Sequence, residues 1–178
     1  NYDIIVVGAG NAGIEAAMAT AKIGAKTALF TIKLEAVGRL SCNPSIGGPA
    51  KGHLAREIDA LGGVIGYVAD LTGIHFRMLN KKKGPAVWAP RTQNDRQAYS
   101  LEIRNIVEKQ DNLELIEDMI VDLITDYEND RLVVKGVRSI LGKEYFAAKV
   151  ILCNGTFLKG KIHVGNVSYA GGRSGEPA

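Results

Sequence analysis

Three glycines in the run Gly8-Ala9-Gly10-Asn11-Ala12-Gly13 close a short apolar stretch near the start of the chain. This spacing lets a backbone turn sharply and offer bare main-chain amides to a diphosphate. Gly8 permits the turn. Gly10 removes the side chain that would block the phosphates, and Gly13 lets the next helix lie close on the strand. The amides at that helix's N-terminus then bind the anion. A turn that is glycine-rich by chance is the alternative. The motif carries meaning only where it joins a strand to a helix. A second group with reactive potential is Cys42, in "RLSCNPSIGG". A nearby helix N-terminus, with Lys51 and Arg56 in reach, would favour its thiolate. A small buried hydrophobe is the competing reading.

The elements that must position the glycines are legible. Tyr2 to Val7 is apolar and β-branched, and predicts a buried strand. Ile14, Ala17, Met18 and Ala21 recur at helical spacing, and Gly24 closes that helix. Lys26 to Thr31 predicts a second strand, giving a right-handed βαβ unit. A glycine-rich and basic excursion follows, over about 38–92. Within it Leu54, Ile58 and Leu61 mark one face of a helix stopped by Gly62-Gly63. The residues from 64 to 91 resist assignment. A long amphipathic helix with Tyr99, Ile103, Ile106 and Val107 inward comes next, then a strand in "NLELIED". A β-meander is expected over about 120–149, turning at Glu128-Asn129-Asp130 and Leu141-Gly142, before a separate apolar strand, "VILCNGT". The fold class is therefore α/β: a Rossmann-like parallel sheet with an antiparallel meander crossover.

A carboxylate is expected at the end of the second strand, to hold ribose hydroxyls. That strand ends at Thr31, which can still hydrogen-bond a hydroxyl. Glu35 comes late and reads as a solvated acid. The meander and the final strand running into Asn154-Gly155-Thr156 resemble flavoproteins of the glutathione-reductase type, which shifts the cofactor from NAD to FAD. Dithiol chemistry is excluded, because Gly47 stands where a second cysteine would belong. Cys153, inside an apolar strand, reads as structural. "GGPAKG" is not a Walker A loop, since Lys51 is followed by Gly52 and His53. His53, His75 and His163 show no ligand spacing, so no metal site is expected.

The 178 residues, 46% hydrophobic and 23% charged with net charge +3, are those of an ordinary globular chain. No apolar run reaches bilayer length. Two cysteines without a disulfide framework, both read as buried or site-lining, favour a reducing, cytoplasmic setting. The first strand begins at once and the chain ends in "YAGGRSGEPA", so we expect a segment of a larger protein.

Three longer stretches carry a resemblance: "SCNPSIGGPAKGHLAREIDALGG", "GIHFRMLNKKKGPAVWAPRTQNDR" and "GTFLKGKIHVGNVSYAGGRSGEP". They resemble the MnmG (GidA) family of tRNA wobble-uridine modification proteins, from Tyr2 to the last residue. The resemblance implies that residues 1–178 are the N-terminal part of an FAD-binding domain. It places an NADH-binding insertion and a C-terminal helical domain beyond them, and implies that this segment alone is inactive. It implies an enzyme that, with the GTPase MnmE, adds an aminomethyl or carboxymethylaminomethyl group at C5 of the wobble uridine of tRNA. FAD is the cofactor, with NADH and methylene-tetrahydrofolate as co-substrates. A homodimer in a heterotetrameric complex with MnmE is expected. Carried over by position, Gly8, Ala9, Gly10, Asn11, Ala12 and Gly13 bind FAD. Asn11 stands where the family commonly has histidine, and the backbone of Ile120 meets the adenine. Cys42 would add to uracil C6 and so make C5 nucleophilic.

Between Arg77 and Arg104 seven basic side chains face two acidic ones, net +5. Lys81, Lys82, Lys83 and Arg91 read as phosphate contacts and Trp88 as a stacking surface for a base. A solvated loop is the alternative. A generic flavin-dependent oxidoreductase and a non-catalytic nucleotide-binding module remain the competing functions.

Overall fold

The computed structural model describes all residues from Asn1 to Ala178. Strand β1 (Tyr2–Val7) leads through the glycine turn into helix α1 (Asn11–Lys22) and strand β2 (Thr27–Thr31). The excursion then supplies β3 (Ser45–Gly47), α2 (Gly52–Ala60), α3 (Ile65–Leu71), β4 (Gly73–Leu79) and β5 (Ala89–Asn94). Helix α4 (Arg96–Lys109) returns to β6 (Leu113–Glu117), followed by β7 (Ile120–Glu128), β8 (Arg131–Ser139) and β9 (Glu144–Leu152). A terminal hairpin, β10 (Lys161–Val164) and β11 (Val167–Ala170), stands apart from both larger sheets.

The main sheet runs in the order β6-β2-β1-β9-β8-β7. Its first four strands are parallel and the last three pair antiparallel. Side chains alternate across β1 and β2, so the two faces build separate cores. Val6 and Leu29 join Ile14, Ala17, Met18, Tyr99, Ile103 and Val107 on the helical face. Ile5, Val7, Ala28 and Phe30 meet Val137, Tyr145 and Ala147 on the other. There Phe30 and Tyr145 pack edge-on, ring centroids 4.7 Å apart. A strand buried on both faces must be apolar at every position, as "IIVV" is.

Two expectations change. The meander does not end before a separate last strand: Glu144–Leu152 is one strand. Gly136 to Arg138 pair with its first half, and β1 pairs with its second half, from Ala147 to Leu152. Nothing in "AAKVIL" breaks a chain, so one strand serves both neighbours. The expected inward face of α2 also fails. Ile58 packs on the core, but Leu54 is 57% and Leu61 89% exposed. The helix stops at Ala60, and Gly62 turns the chain at φ +86°.

Glu15 of α1 fastens the excursion to the core. Its Oε1 accepts from the amides of Val64 and Ile65, at 2.9 and 2.7 Å, and so satisfies the start of α3. Glu15→Ala is expected to lower stability by about 1–3 kcal/mol, the cost of leaving such donors unmet. Glu15→Gln, which keeps an acceptor oxygen, should recover most of it. Urea denaturation of the three proteins checks both.

Candidate functional site

At the end of β1 each glycine of the turn has its own reason. Gly8 sits at φ +104°, and a Cβ there would lie 2.4 Å from the Cys153 carbonyl oxygen. A Cβ on Gly13 would lie 1.7 Å from the Gly8 carbonyl oxygen, so α1 can cross the strand only as glycine. Gly10 differs from both. Its backbone is extended, and a Cβ would meet nothing within 4 Å. The space beside it is open to a ligand.

Gly10 is also the N-cap of α1, and no side chain caps the helix or places an acid in its first turn. Its leading amides remain free for an anion. Asn11, the first helical residue, has its side-chain oxygen buried and unpaired. The free amides fit a dinucleotide's pyrophosphate; the Asn11 oxygen, which only accepts, does not contribute to that fit.

Beside the turn lies a cavity of about 360 Å³ at the C-terminal ends of β1, β2 and β9. Strand β1 lies between β2 and β9, and the cavity sits outside the carboxyl ends of these parallel strands, where open α/β sheets bind ligands. Gly8, Ala9 and Ile120 line the cavity. Gly10 and Ala12 are exposed next in the chain, and Gly13 is buried beneath. Thr31 lines it too, but its hydroxyl donates to the Lys33 carbonyl at 2.9 Å. That donor is spent within the strand end. Glu35 is exposed and lies outside the cavity lining.

Several lining residues escaped the sequence reading. Lys33, Arg39, Lys159 and Arg173 bring positive charge, and Asp118 and Glu176 bring acids. Asp118 is occupied: it accepts from the Tyr145 hydroxyl at 2.9 Å. Arg39 pairs with Glu176, while its Nε is buried without a partner. The signal for Arg173 and Glu176 lay in "GGRSGEP", which was matched as a motif without a role.

Cys42 is exposed rather than buried or lining the cavity, which corrects the expectation for it. Its carbonyl is held by the Arg96 guanidinium at 3.0 Å, so the cation tied to this loop is neither Lys51 nor Arg56. Arg39, three residues earlier, lines the cavity, and three residues span at most about 11 Å. Cys153 is partly buried, and burial pushes its thiol pKa up, as suits a structural residue.

The basic stretch forms its own sheet, in the order β3-β5-β4, with its tip at Lys81–Lys83. Asn80 enters the tip in the left-handed conformation, and Lys83 closes it through its amide to the Asn80 carbonyl at 2.8 Å. All three lysines are exposed. The Trp88 indole donates to the Lys81 carbonyl at 3.3 Å and pins the turn, while the ring stays 41% exposed. Arg91 lies in the central strand, half-buried.

Comparison with known proteins finds relatives across nearly the whole chain. The model of the family described as "Glucose inhibited division protein A" matches residues 3–178. A protein of Salinibacter ruber named tRNA uridine 5-carboxymethylaminomethyl modification enzyme MnmG is 54% identical over 177 residues, which cover 99% of this chain and 26% of that protein. A protein of the same name from Thermodesulfovibrio yellowstonii is 55% identical over 176 residues, covering 99% of this chain and 28% of its own. The chain therefore spans about a quarter of the length of the curated relatives it matches. A solved structure of Aquifex aeolicus GidA superimposes with a TM-score of 0.90 at 48% identity, covering 99% of this chain and 29% of the other. With its glycine turn, its six-stranded sheet and a family match across nearly its whole length, the chain belongs to the glucose-inhibited division protein A (GidA) family.

Proposed function

We propose that this chain is the FAD-holding part of an enzyme that modifies the wobble uridine of tRNA at C5. The product carries an aminomethyl or carboxymethylaminomethyl group, and the GTPase MnmE is the partner. One observation carries the cofactor assignment: the uncapped α1 N-terminus opens onto the space that Gly10 leaves empty. Flavin bound there would supply two-electron redox chemistry. The amides of the turn hold the pyrophosphate, and Ile120 meets the adenine end. Lys33, Lys159 and Arg173 add positive charge along the cavity, while Arg39 is paired with Glu176. Cys42, on the loop beyond Arg39, adds its thiolate to uracil C6, so that C5 gains the electron density to attack a methylene carried by the folate co-substrate; loss of the C5 proton then expels the thiolate and restores the ring.

NADH as reductant, a homodimer and a cytoplasmic setting complete the proposal. The NADH-binding insertion and the helical C-terminal domain belong to the length by which the relatives exceed this chain. No helix here is long and apolar enough to cross a membrane. The test is purification of the full-length protein with its flavin, followed by nucleoside analysis of tRNA treated with it and MnmE. Full-length protein that takes up no FAD would end the proposal.

The exposed lysine turn gives a separate expectation. Changing Lys81, Lys82 and Lys83 together to Glu should weaken tRNA binding by about tenfold or more at moderate salt. The slope of log affinity against log salt should fall by roughly 1–3 as phosphate contacts are lost. Fluorescence anisotropy across a salt series reads both. Unaltered affinity would leave the lysines as a solvated turn.

A further inference from the structure

Arg77 and Arg91 stand directly opposite each other in the β4–β5 register. Opposed residues of antiparallel strands share one face, with Cβ atoms about 4.5–5.5 Å apart. Gly47 of β3 extends the same row, and Ser45, Gln93 and His75 form the next. Two arginines thus share one face of the sheet, next to a position with no side chain. The face is the outward one. Ile46, one residue along β3, packs into the core on the opposite side, and Phe76 and Thr92 close there on Gly73.

No carboxylate answers this pair. The ion pairs of the structure use Arg39, Arg104, Lys135 and Arg138. Like charges opposed on a sheet cost stability, and an anion between them removes that cost. An independent feature adjoins the row. A groove of about 510 Å³ runs along β4, lined by Phe76, Arg77, Asn80 and the three lysines of the turn, with no acid in its wall. Phe76, 57% exposed, reaches this groove from the other face of the edge strand β4.

We propose that this face binds the sugar-phosphate backbone of one RNA strand. Arg77 and Arg91 grip a shared phosphate as paired forks, and the groove carries the adjoining nucleotides to the lysine turn. A lone small anion needs enclosure. An open row continuing into a groove with four cations suits a ligand of repeated charge. The proposal rests on the reading of tRNA as substrate, and gives that substrate a place on the chain.

The test uses full-length, flavin-loaded protein, unmodified tRNA and anisotropy across a chloride series. R77Q/R91Q is expected to lose about tenfold in affinity and roughly one unit of salt slope. Its flavin content should not change, and its melting temperature should hold or rise as the repulsion disappears. R77Q alone, at an exposed position, should lose about threefold and decides the matter if the double variant fails to fold. Parental affinity and slope in a folded variant overturn the proposal while leaving tRNA as substrate. Loss of flavin or a lower melting temperature in R77Q also overturns it, since Arg77 would then serve the fold. Parental protein that binds no tRNA removes the substrate reading itself. Inorganic phosphate at matched ionic strength should displace tRNA no better than chloride. Stronger displacement would assign the face to a small anion and sink the RNA claim.

Discussion

Full-length protein carrying Gly10→Glu is expected to fold and melt like its parent and to be purified without flavin. Gly10 has φ −76° and ψ −179°, a conformation open to any residue. A new Cβ would meet no protein atom within 4 Å, so stability should change by less than about 0.5 kcal/mol. The same Cβ would occupy the approach to the α1 amides, and its carboxylate would repel a diphosphate. A loss of at least ~100-fold in FAD affinity, about 2.7 kcal/mol, is expected. Gly13→Ala should behave in the opposite way. Alanine favours a helix interior over glycine by about 1 kcal/mol. Against that, its Cβ would sit 1.7 Å from the Gly8 carbonyl oxygen, a backbone atom with little room to yield. Overpacking of this kind costs about 3 kcal/mol or more, so the overlap wins and the domain melts lower. Thermal melts and flavin absorbance of both proteins separate the two roles. Retention of flavin by Gly10→Glu would remove the turn from cofactor binding.

The second large effect is expected at Cys42. Cys42→Ser should keep parental flavin content and stability, because the residue is exposed and its one hydrogen bond to the Arg96 guanidinium uses the backbone carbonyl. Modification of tRNA should fall by at least ~1000-fold, about 4 kcal/mol in the barrier. A serine hydroxyl is a far weaker nucleophile than a thiolate toward uracil C6. Normal modification by the serine protein would take Cys42 out of the mechanism. Lost flavin would instead show that the loop beyond Arg39 supports the cofactor.

The glycine turn was legible because each glycine answers a separate steric demand, and the apolar runs on either side supply the strand and helix that give it meaning. The sheet carrying Arg77 and Arg91 was not. Strand β5 reads "APRTQN", with little apolar alternation and a proline that argues against a central strand. The proline is tolerated because β3 pairs with β5 only at Arg91, Thr92 and Gln93. At Pro90 the strand has a ladder neighbour on one side only, and its carbonyl accepts from Gly48 at 2.8 Å. The cavity wall was hidden for a different reason. Arg39 and Glu176 meet across 137 positions of sequence, a contact no local pattern announces. Leu54 and Leu61 misled because helical spacing marks a stripe but not whether anything covers it.

The sharing of β9 between β1 and β8 has a consequence for biosynthesis. Tyr2 pairs with Ala147, so β1 gains its second neighbour only after nearly the whole segment has been made. At roughly 5–20 residues per second, a ribosome leaves that edge of "IIVV" unpaired for about 7–30 s. An apolar strand with one bare side invites intermolecular pairing. The nascent polypeptide therefore passes through a window in which chaperone cover, rather than its own hydrogen bonding, keeps it from aggregating.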